Sequence, residues 1–346
     1  MKKLTELTMV ANQHPNRSFS VFFKPETSGD GQKKSVPFGG ILKIFYMANF
    51  LFCLNLLSAN PSPAEVKLLS VTELSNRLNE PRCAIVDTRS FIAYRCGHIK
   101  GAVSLDAGCG GPLVDKNGAF PCRLRPGKEI LGELADRGIS SDRQIILYGD
   151  QHSWGAEGRL YWLLDKLGFD NLALLDGGYD AWQRAAGPTA ALFADRLPAC
   201  SKLKDDGWQA LDSALTALSA TALWRGFARG EVIFLDVRSR QEYEGAILYR
   251  EKRGGHLPAA LHFNWEDFRQ EDCRLKKPEA VLAELKQQGL PDPAAIGNKT
   301  IIPYCTGGIR SGYAWFVLKW LGYAKVENYD PGFWEWAADS ALPVEK

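Results

Sequence analysis

The chain carries almost no net charge: 42 lysines and arginines stand against 40 aspartates and glutamates, a formal +2 at neutral pH. Such a balance gives no electrostatic reason to expect a nucleic-acid partner. The sequence also lacks any Cys-x-x-Cys pair and any Cys/His spacing suited to zinc, so neither a metal nor another cofactor is expected. A membrane-spanning run is missing as well. The apolar stretch from Ile44 to Leu57, broken by Asn49 and Asn55, falls short of the roughly 20 residues a transmembrane helix needs. What is present is a chain of 346 residues at 45% hydrophobic, enough for two ordinary globular domains with real cores.

The first sixty-odd residues fit neither domain. Residues 1–40 are polar, rich in Lys, Ser and Gly, and without periodicity, which suggests disorder or a translation start placed too far upstream. The run that follows has the length of a signal-peptide core. Lys43 gives it a basic flank, and Ser62-Pro63-Ala64 resembles a small-x-Ala cleavage site. A start near Ile41 or Leu42, through an alternative start codon, would leave an ordinary bacterial signal peptide. Export to the periplasm is therefore expected, with no stable membrane association once the segment is cleaved. An uncleaved anchor or a tail on a cytoplasmic protein is the alternative.

The segment Tyr304-Cys305-Thr306-Gly307-Gly308-Ile309-Arg310-Ser311 carries the chemistry. Thr300, Ile301 and Ile302 before it read as a buried strand, while Ala314, Trp315, Val317, Leu318 and Leu321 recur at helical spacing after it. Cys305 therefore falls at a strand-to-helix turn. In parallel α/β sheets ligands bind at the carboxyl ends of strands, and a helix start offers free N–H groups and the positive end of its dipole. Gly307 and Gly308 let the backbone curl, and Arg310 adds a cation with a planar fork of donors. These surroundings favour a thiolate, so Cys305 reads as a catalytic thiol rather than a packed core residue.

Four segments in order resemble the rhodanese family of sulfurtransferases. They are Leu235-Asp236-Val237-Arg238-Ser239, Gly255-His256-Leu257-Pro258-Ala259-Ala260, the six-residue loop Cys305 to Arg310, and Tyr329-Asp330-Pro331-Gly332-Phe333-Trp334-Glu335-Trp336, where Pro331 stands in place of the family's usual glycine. The pattern occurs twice. Ile85-Val86-Asp87-Thr88-Arg89, Gly97-His98-Ile99-Lys100-Gly101-Ala102 and Asp176-Gly177-Gly178-Tyr179-Asp180-Ala181-Trp182 repeat three landmarks at offsets of 149, 158 and 154 residues. Repeats this long are whole domains. After Ile145-Ile146-Leu147-Tyr148, however, the segment Gly149-Asp150-Gln151-His152-Ser153-Trp154 offers no thiol, which makes the first copy silent.

The resemblance implies two tandem α/β domains, each a parallel sheet with helices on both faces, as the alternation of strand-like and helical runs also suggests. Residues 1–64 form the N-terminal tail, 65–186 the inactive domain, 187–215 a linker and 216–346 the catalytic domain. Ser70 and Glu73 read as a capping box, and Pro278 and Gly289 frame a helix between them. By resemblance, Cys305 takes sulfur from a donor such as thiosulfate, holds it as a persulfide and passes it to a thiophilic acceptor, cyanide in the assay or a thiol in the cell. The loop from Thr306 to Ser311, with Gly307, Gly308, Ile309 and Arg310, would stabilise the anionic persulfide, and Arg310 would attract the donor. Asp236 and Arg238 would buttress the loop; His256 and His262 read as structural. A monomer with small-molecule partners is expected.

The substrate side departs from the family. Relatives commonly place a substrate arginine directly before an aromatic residue, but Glu242 precedes Tyr243 and is expected to repel an anionic donor. Arg240, or Arg250 and Arg253 in the insertion that follows, would have to supply the charge. Thiosulfate is favoured over mercaptopyruvate. Phosphatases and arsenate reductases on the same fold carry a Cys-x5-Arg loop, one residue longer than the Cys-x4-Arg here; a non-catalytic persulfide carrier or partner-binding module is the other alternative. Of the remaining cysteines, Cys83, Cys96, Cys109, Cys122, Cys200 and Cys273 could pair in an oxidising compartment, with Cys109 and Cys122, bracketing a Gly/Pro-rich loop, the first pair to test.

Overall fold

Each Asp-x-Arg motif ends a strand at the heart of a parallel sheet. The structure, a computed structural model, describes residues 66–192 and 207–346. The expectations for the tail, its apolar run and its cleavage site fall outside the described residues, as does Cys200.

In the first lobe, β1 (Lys67–Leu69), β2 (Cys83–Asp87), β4 (Val103–Ser104), β5 (Gln144–Tyr148) and β6 (Leu172–Leu175) form a sheet of order β1-β6-β5-β2-β4, with parallel pairing throughout. A small antiparallel ribbon joins β3 (His98–Ile99) to β7 (Thr189–Ala190). In the second lobe, β8 (Val232–Asp236), β9 (Leu261–His262) and β10 (Thr300–Tyr304) make a parallel sheet of order β10-β8-β9. Parallel bridges from Ile301 to Val326 and from Tyr304 to Tyr329 extend it.

Side chains alternate across each sheet, as the strand period of two requires. Ile145 and Leu147 face a core shared by the lobes, while Ile146 and Tyr148 face the outer core of the first lobe. Leu235 and Ile301 likewise join the shared core, and Phe234 and Ile302 the outer core of the second. Helices Ala156–Lys166 and Ile309–Trp320 cross inside the shared layer. Their backbones nearly touch: a Cβ on Gly158 would stand 2.3 Å from Tyr313 Cα, and one on Gly312 would stand 2.5 Å from Arg159 Cα. The contact is reciprocal, so the two repeats meet about a local pseudo-twofold axis. It carries Tyr161 onto Phe316, with ring centroids 5.0 Å apart.

The capping box at Ser70 and Glu73 is formed, and Pro278 opens helix Pro278–Gln287. The linker expectation needs correction at both ends. Residues 189–190 are a strand in the first lobe, and helix Gly207–Ala217 lies within the stretch expected to be linker. That helix packs with helix Gly127–Asp136, where the Gly127 N–H donates to Asp212 Oδ1 at 2.9 Å. Trp208, Leu211, Leu215 and Leu218 recur at helical spacing and attach to core, a signal obscured by the polar residues just before them.

Candidate active site

Cys305 follows the last residue of β10 and precedes helix Ile309–Trp320, whose cap is Gly308 in the left-handed region at φ 85°. Two close approaches explain the paired glycines. A Cβ on Gly308 would meet Asp330 Oδ1 at 2.4 Å, and one on Gly307 would meet the Trp334 ring at 2.3 Å. The Phe333 N–H donates to the Cys305 carbonyl at 2.8 Å and the Trp334 N–H to that of Thr306 at 3.1 Å. The closing signature therefore clamps the loop from beneath. Cys305 itself is 2% exposed, and the Ser311 hydroxyl points at its Sγ from 3.6 Å. The first N–H groups of the helix have no intrahelical partner, so the thiol lies beside free donors at the positive end of the dipole.

Asp236 and Arg238 sit behind the loop. Arg238 donates Nε to Asp236 Oδ1 at 2.9 Å and Nη2 to the Gly255 carbonyl at 2.7 Å; Tyr304 donates its hydroxyl to Asp236 Oδ2 at 2.7 Å and receives the Leu257 N–H at 3.0 Å. The strand end is thereby tied to the Gly-His turn. His256 stacks on Tyr243, with centroids 3.7 Å apart and Nδ1 2.9 Å from the Tyr243 carbonyl oxygen, and His262 Nε2 lies 2.9 Å from the Arg238 carbonyl oxygen.

Arg310 requires a correction. It is 4% exposed and makes a two-pronged ion pair with Glu242, Nη1 to Oε2 at 2.7 Å and Nη2 to Oε1 at 2.8 Å. Thr306 completes the knot, donating Oγ1–H to Glu242 Oε1 at 2.7 Å and accepting from Arg310 Nη2 at 2.8 Å. Glu242 caps its own helix at the same time, its carboxylate taking the Ser239 N–H. Burial would raise its pKa, but the Arg310 fork and the Thr306 hydroxyl outweigh it and hold the carboxyl down at about 2. Glu242 is thus not a free anion repelling substrate, and Arg310 is not a free cation attracting it. The pair braces the loop.

Arg240 and Arg253 do not reach the site. Arg240 is exposed and pairs with Glu244, while Arg253 spends its N–H groups on the carbonyls of Trp336, Ala337, Asp339 and Leu342. Arg250 is exposed and does not line the cavity. The insertion contributes Tyr249 instead. Its N–H is held by Glu251 Oε2 at 2.8 Å, and its carbonyl accepts the Trp334 indole N–H at 2.9 Å.

The cavity in front of Cys305 has a volume of about 340 Å³, the size of a small-molecule site. Its far wall belongs to the first lobe, through Arg89, Asp106, the Cys109–Cys122 disulfide, His152 and Trp154. Trp154 and Tyr249 meet edge to face across the mouth, and Arg310 lies over both rings at 5.3 and 5.8 Å. Arg89 is compensated as fully as Arg310, by Asp87 at 2.6 Å and Asp150 at 3.6 Å. Burial pushes the Asp106 carboxyl above the usual carboxylate range. Sequence reasoning missed this wall because no local pattern in the silent copy marks which of its residues face the loop of the other lobe.

The Rhodanese-like domain family matches residues 70–185 and again 219–339. A thiosulfate sulfurtransferase of Azotobacter vinelandii is 30% identical over 285 residues, covering 80% of this chain and 96% of that protein. The sulfur carrier protein TtuD of Thermus thermophilus is 28% identical over 294 residues, covering 81% and 96%. Among solved structures, the 3-mercaptopyruvate sulfurtransferase of Leishmania major superposes with a TM-score of 0.65 at 19% identity, over 83% of this chain and 78% of that one, a likeness of fold. Two such domains, one with a loop thiol, define a class: the chain belongs to the rhodanese family. Within it the chain is a sulfurtransferase.

Proposed function

We propose that the protein moves sulfane sulfur from thiosulfate, or a related donor, to a thiophilic acceptor through a persulfide on Cys305. The observation that carries this reading is a buried thiol held between a strand end and a helix start, on a loop clamped from both sides and opening on one cavity. The Cys305 thiolate attacks the outer sulfur of the donor, the donor's S–S bond breaks, and sulfite leaves with the electron pair. An acceptor nucleophile then attacks the outer sulfur of the persulfide, and Cys305 departs as thiolate. Because both cavity arginines are paired with carboxylates, the donor's charge is met by the loop amides and the helix start. Support for thiosulfate comes from the names of the Azotobacter relative and of a Corynebacterium glutamicum relative 29% identical over 290 residues.

Delivery to a protein acceptor is a second reading. It is favoured by the exposed Ile247 and Leu248 beside Tyr249 at the cavity mouth, and by the carrier name of the Thermus relative. A panel of donors and acceptors on the purified protein, with mass spectrometry of Cys305 after each donor, tests both. A sulfur adduct on Cys305 that cyanide removes as thiocyanate is expected. An adduct that small acceptors do not remove but a protein thiol does would favour the carrier. No adduct with any donor would sink the persulfide reading. Export belongs to the same proposal, on the strength of the apolar run 44–57 and Ser62-Pro63-Ala64; cell fractionation finding the full-length chain in the cytoplasm would remove it.

A further inference from the structure

We propose that Cys109 and Cys122 are a dithiol–disulfide couple that accepts the sulfane sulfur of Cys305 and releases it as hydrogen sulfide. The proposal rests on the Cys305 persulfide. Three observations carry it.

The first is position. Cys109, Cys122 and Cys305 line the same cavity, whereas the other free cysteines among the described residues, Cys83, Cys96 and Cys273, do not. Cys122 Cβ lies 3.4 Å from where a Cβ on Gly307 would stand, two residues beyond the thiol on its own loop. The second is registration. Arg159 donates Nη2 to the Cys122 carbonyl at 2.7 Å while its Nε and Nη2 grip Asp330 at 2.8 and 2.9 Å, and Asp330 packs against Gly308. A buried guanidinium thus fixes Cys122 to the catalytic loop of the other lobe. The third is asymmetry. Cys122 is 3% exposed and faces inward, while Cys109 is exposed. A staple for the 109–122 loop would need neither the shared cavity nor this division into inner and outer sulfur.

The chemistry balances with an external dithiol as reductant. Its thiolate attacks exposed Cys109, Cys122 leaves, and the second thiol of the reductant resolves the mixed disulfide, so that two electrons and two protons arrive and both cysteines become thiols. Cys122 thiolate then attacks the outer sulfur of the Cys305 persulfide. A new S–S bond forms on Cys122, and Cys305 leaves as thiolate. Cys109 attacks Cys122 Sγ, the Cys109–Cys122 disulfide re-forms, and hydrosulfide leaves. In sum, one persulfide and two thiols give one thiol, one disulfide and one hydrogen sulfide; the sulfane sulfur is reduced by two electrons and the dithiol oxidised by two.

The test uses the full chain in two redox states, reduced with dithiothreitol and desalted, or left oxidised, each then loaded with thiosulfate and no added thiol. Sulfide is measured, and differential alkylation with peptide mass mapping follows each cysteine. The reduced protein is expected to release close to one equivalent of sulfide per chain as Cys109 and Cys122 pass from alkylatable to disulfide, while the oxidised protein keeps its persulfide on Cys305. Cys109→Ser should cut the sulfide yield by more than about tenfold and leave sulfur on Cys122 or Cys305. Comparison of the two redox states of the unaltered chain decides the matter even if the variant fails to fold. Persulfide on Cys305 in both states with no sulfide from the reduced one overturns the relay and leaves the proposed function standing; no persulfide on Cys305 in either state overturns both.

Discussion

Tyr148 and Tyr304 end equivalent strands in the two lobes and are held alike. Each donates its hydroxyl to the aspartate of an Asp-x-Arg motif, at 2.6 and 2.7 Å, and each receives a backbone N–H from the Gly-His turn, at 3.1 and 3.0 Å. One residue later the lobes part. Gly149 and Cys305 occupy the same place, since the carbonyl of each accepts an N–H from the closing signature at 2.8 Å, from Tyr179 and Phe333 respectively. The second lobe then reaches its left-handed helix cap, Gly308, after Thr306 and Gly307, whereas the first takes a longer path from Gly149 to Trp154 before Gly155. The space itself is taken: a Cβ on Gly149 would lie 2.1 Å from Glu157 Oε2. A common frame thus keeps the strand end, turn and clamp, and the residues after the tyrosine decide whether the lobe carries a loop thiol or forms a wall in front of the one that does.

The most drastic way to break the comparison is to remove the thiol. Cys305→Ser should reduce thiocyanate formation from thiosulfate and cyanide to background while the thermal unfolding midpoint stays close to that of the parent, because the hydroxyl is nearly the size of the thiol but a poor nucleophile at neutral pH. Adding Gly149→Cys to that variant should restore nothing, since Glu157 occupies the site and the longer loop forms no equivalent nest; clear recovery would show that the loops are interchangeable.

Arg310→Ala comes next. It strands the buried Glu242 carboxylate and should destabilise the chain by about 3 kcal/mol in denaturant unfolding. Arg310→Lys should recover part of this, keeping the charge and losing the fork. If stability is unchanged and only the Michaelis constant for thiosulfate rises, Arg310 is a substrate cation after all.

Two buried carboxylates, Glu157 in the first lobe and Glu242 in the second, shift in opposite directions. Glu242 is held down at about 2, so the stability it contributes is complete above its unfolded value near 4.5 and is lost as pH falls toward 2. Burial pushes Glu157 up to about 7, so its contribution is complete below 4.5 and is lost as pH rises through 7. Glu157→Gln should therefore stabilise the protein at pH 8, by about 2 kcal/mol, and do little at pH 5. Equal effects of this substitution at both pH values, read from denaturant titrations, would place Glu157 in a wetter setting than the fold gives it.

The smallest expected effect is at the mouth. Trp154→Ala removes one of two rings over Arg310 and should raise the Michaelis constant about threefold to tenfold with a lesser change in turnover.

The duplication, the parallel sheets and the thiol loop could be read from sequence because their determinants are local: an apolar run, a turn, then helical spacing within a few residues. The surroundings of the loop could not. Glu242 reaches Arg310 across 68 residues, and Arg159 reaches Asp330 across 171. Nothing in the short range marks Glu242 as a partner rather than a repellent, since its capping-box role hides its second one. Tyr249 carries no charge, so the charge pattern of the insertion does not point to it, yet it lines the cavity where Arg250 and Arg253 do not.

The central claim, that one lobe holds the sulfur and the other encloses it, is tested most directly by peptide mass mapping after a single loading with thiosulfate, with the Cys109–Cys122 disulfide intact. The account predicts one added sulfur on Cys305, removed by cyanide, and none on Cys83, Cys96 or Cys273. Sulfur found on a cysteine of the first lobe while Cys305 remains a bare thiol would contradict it.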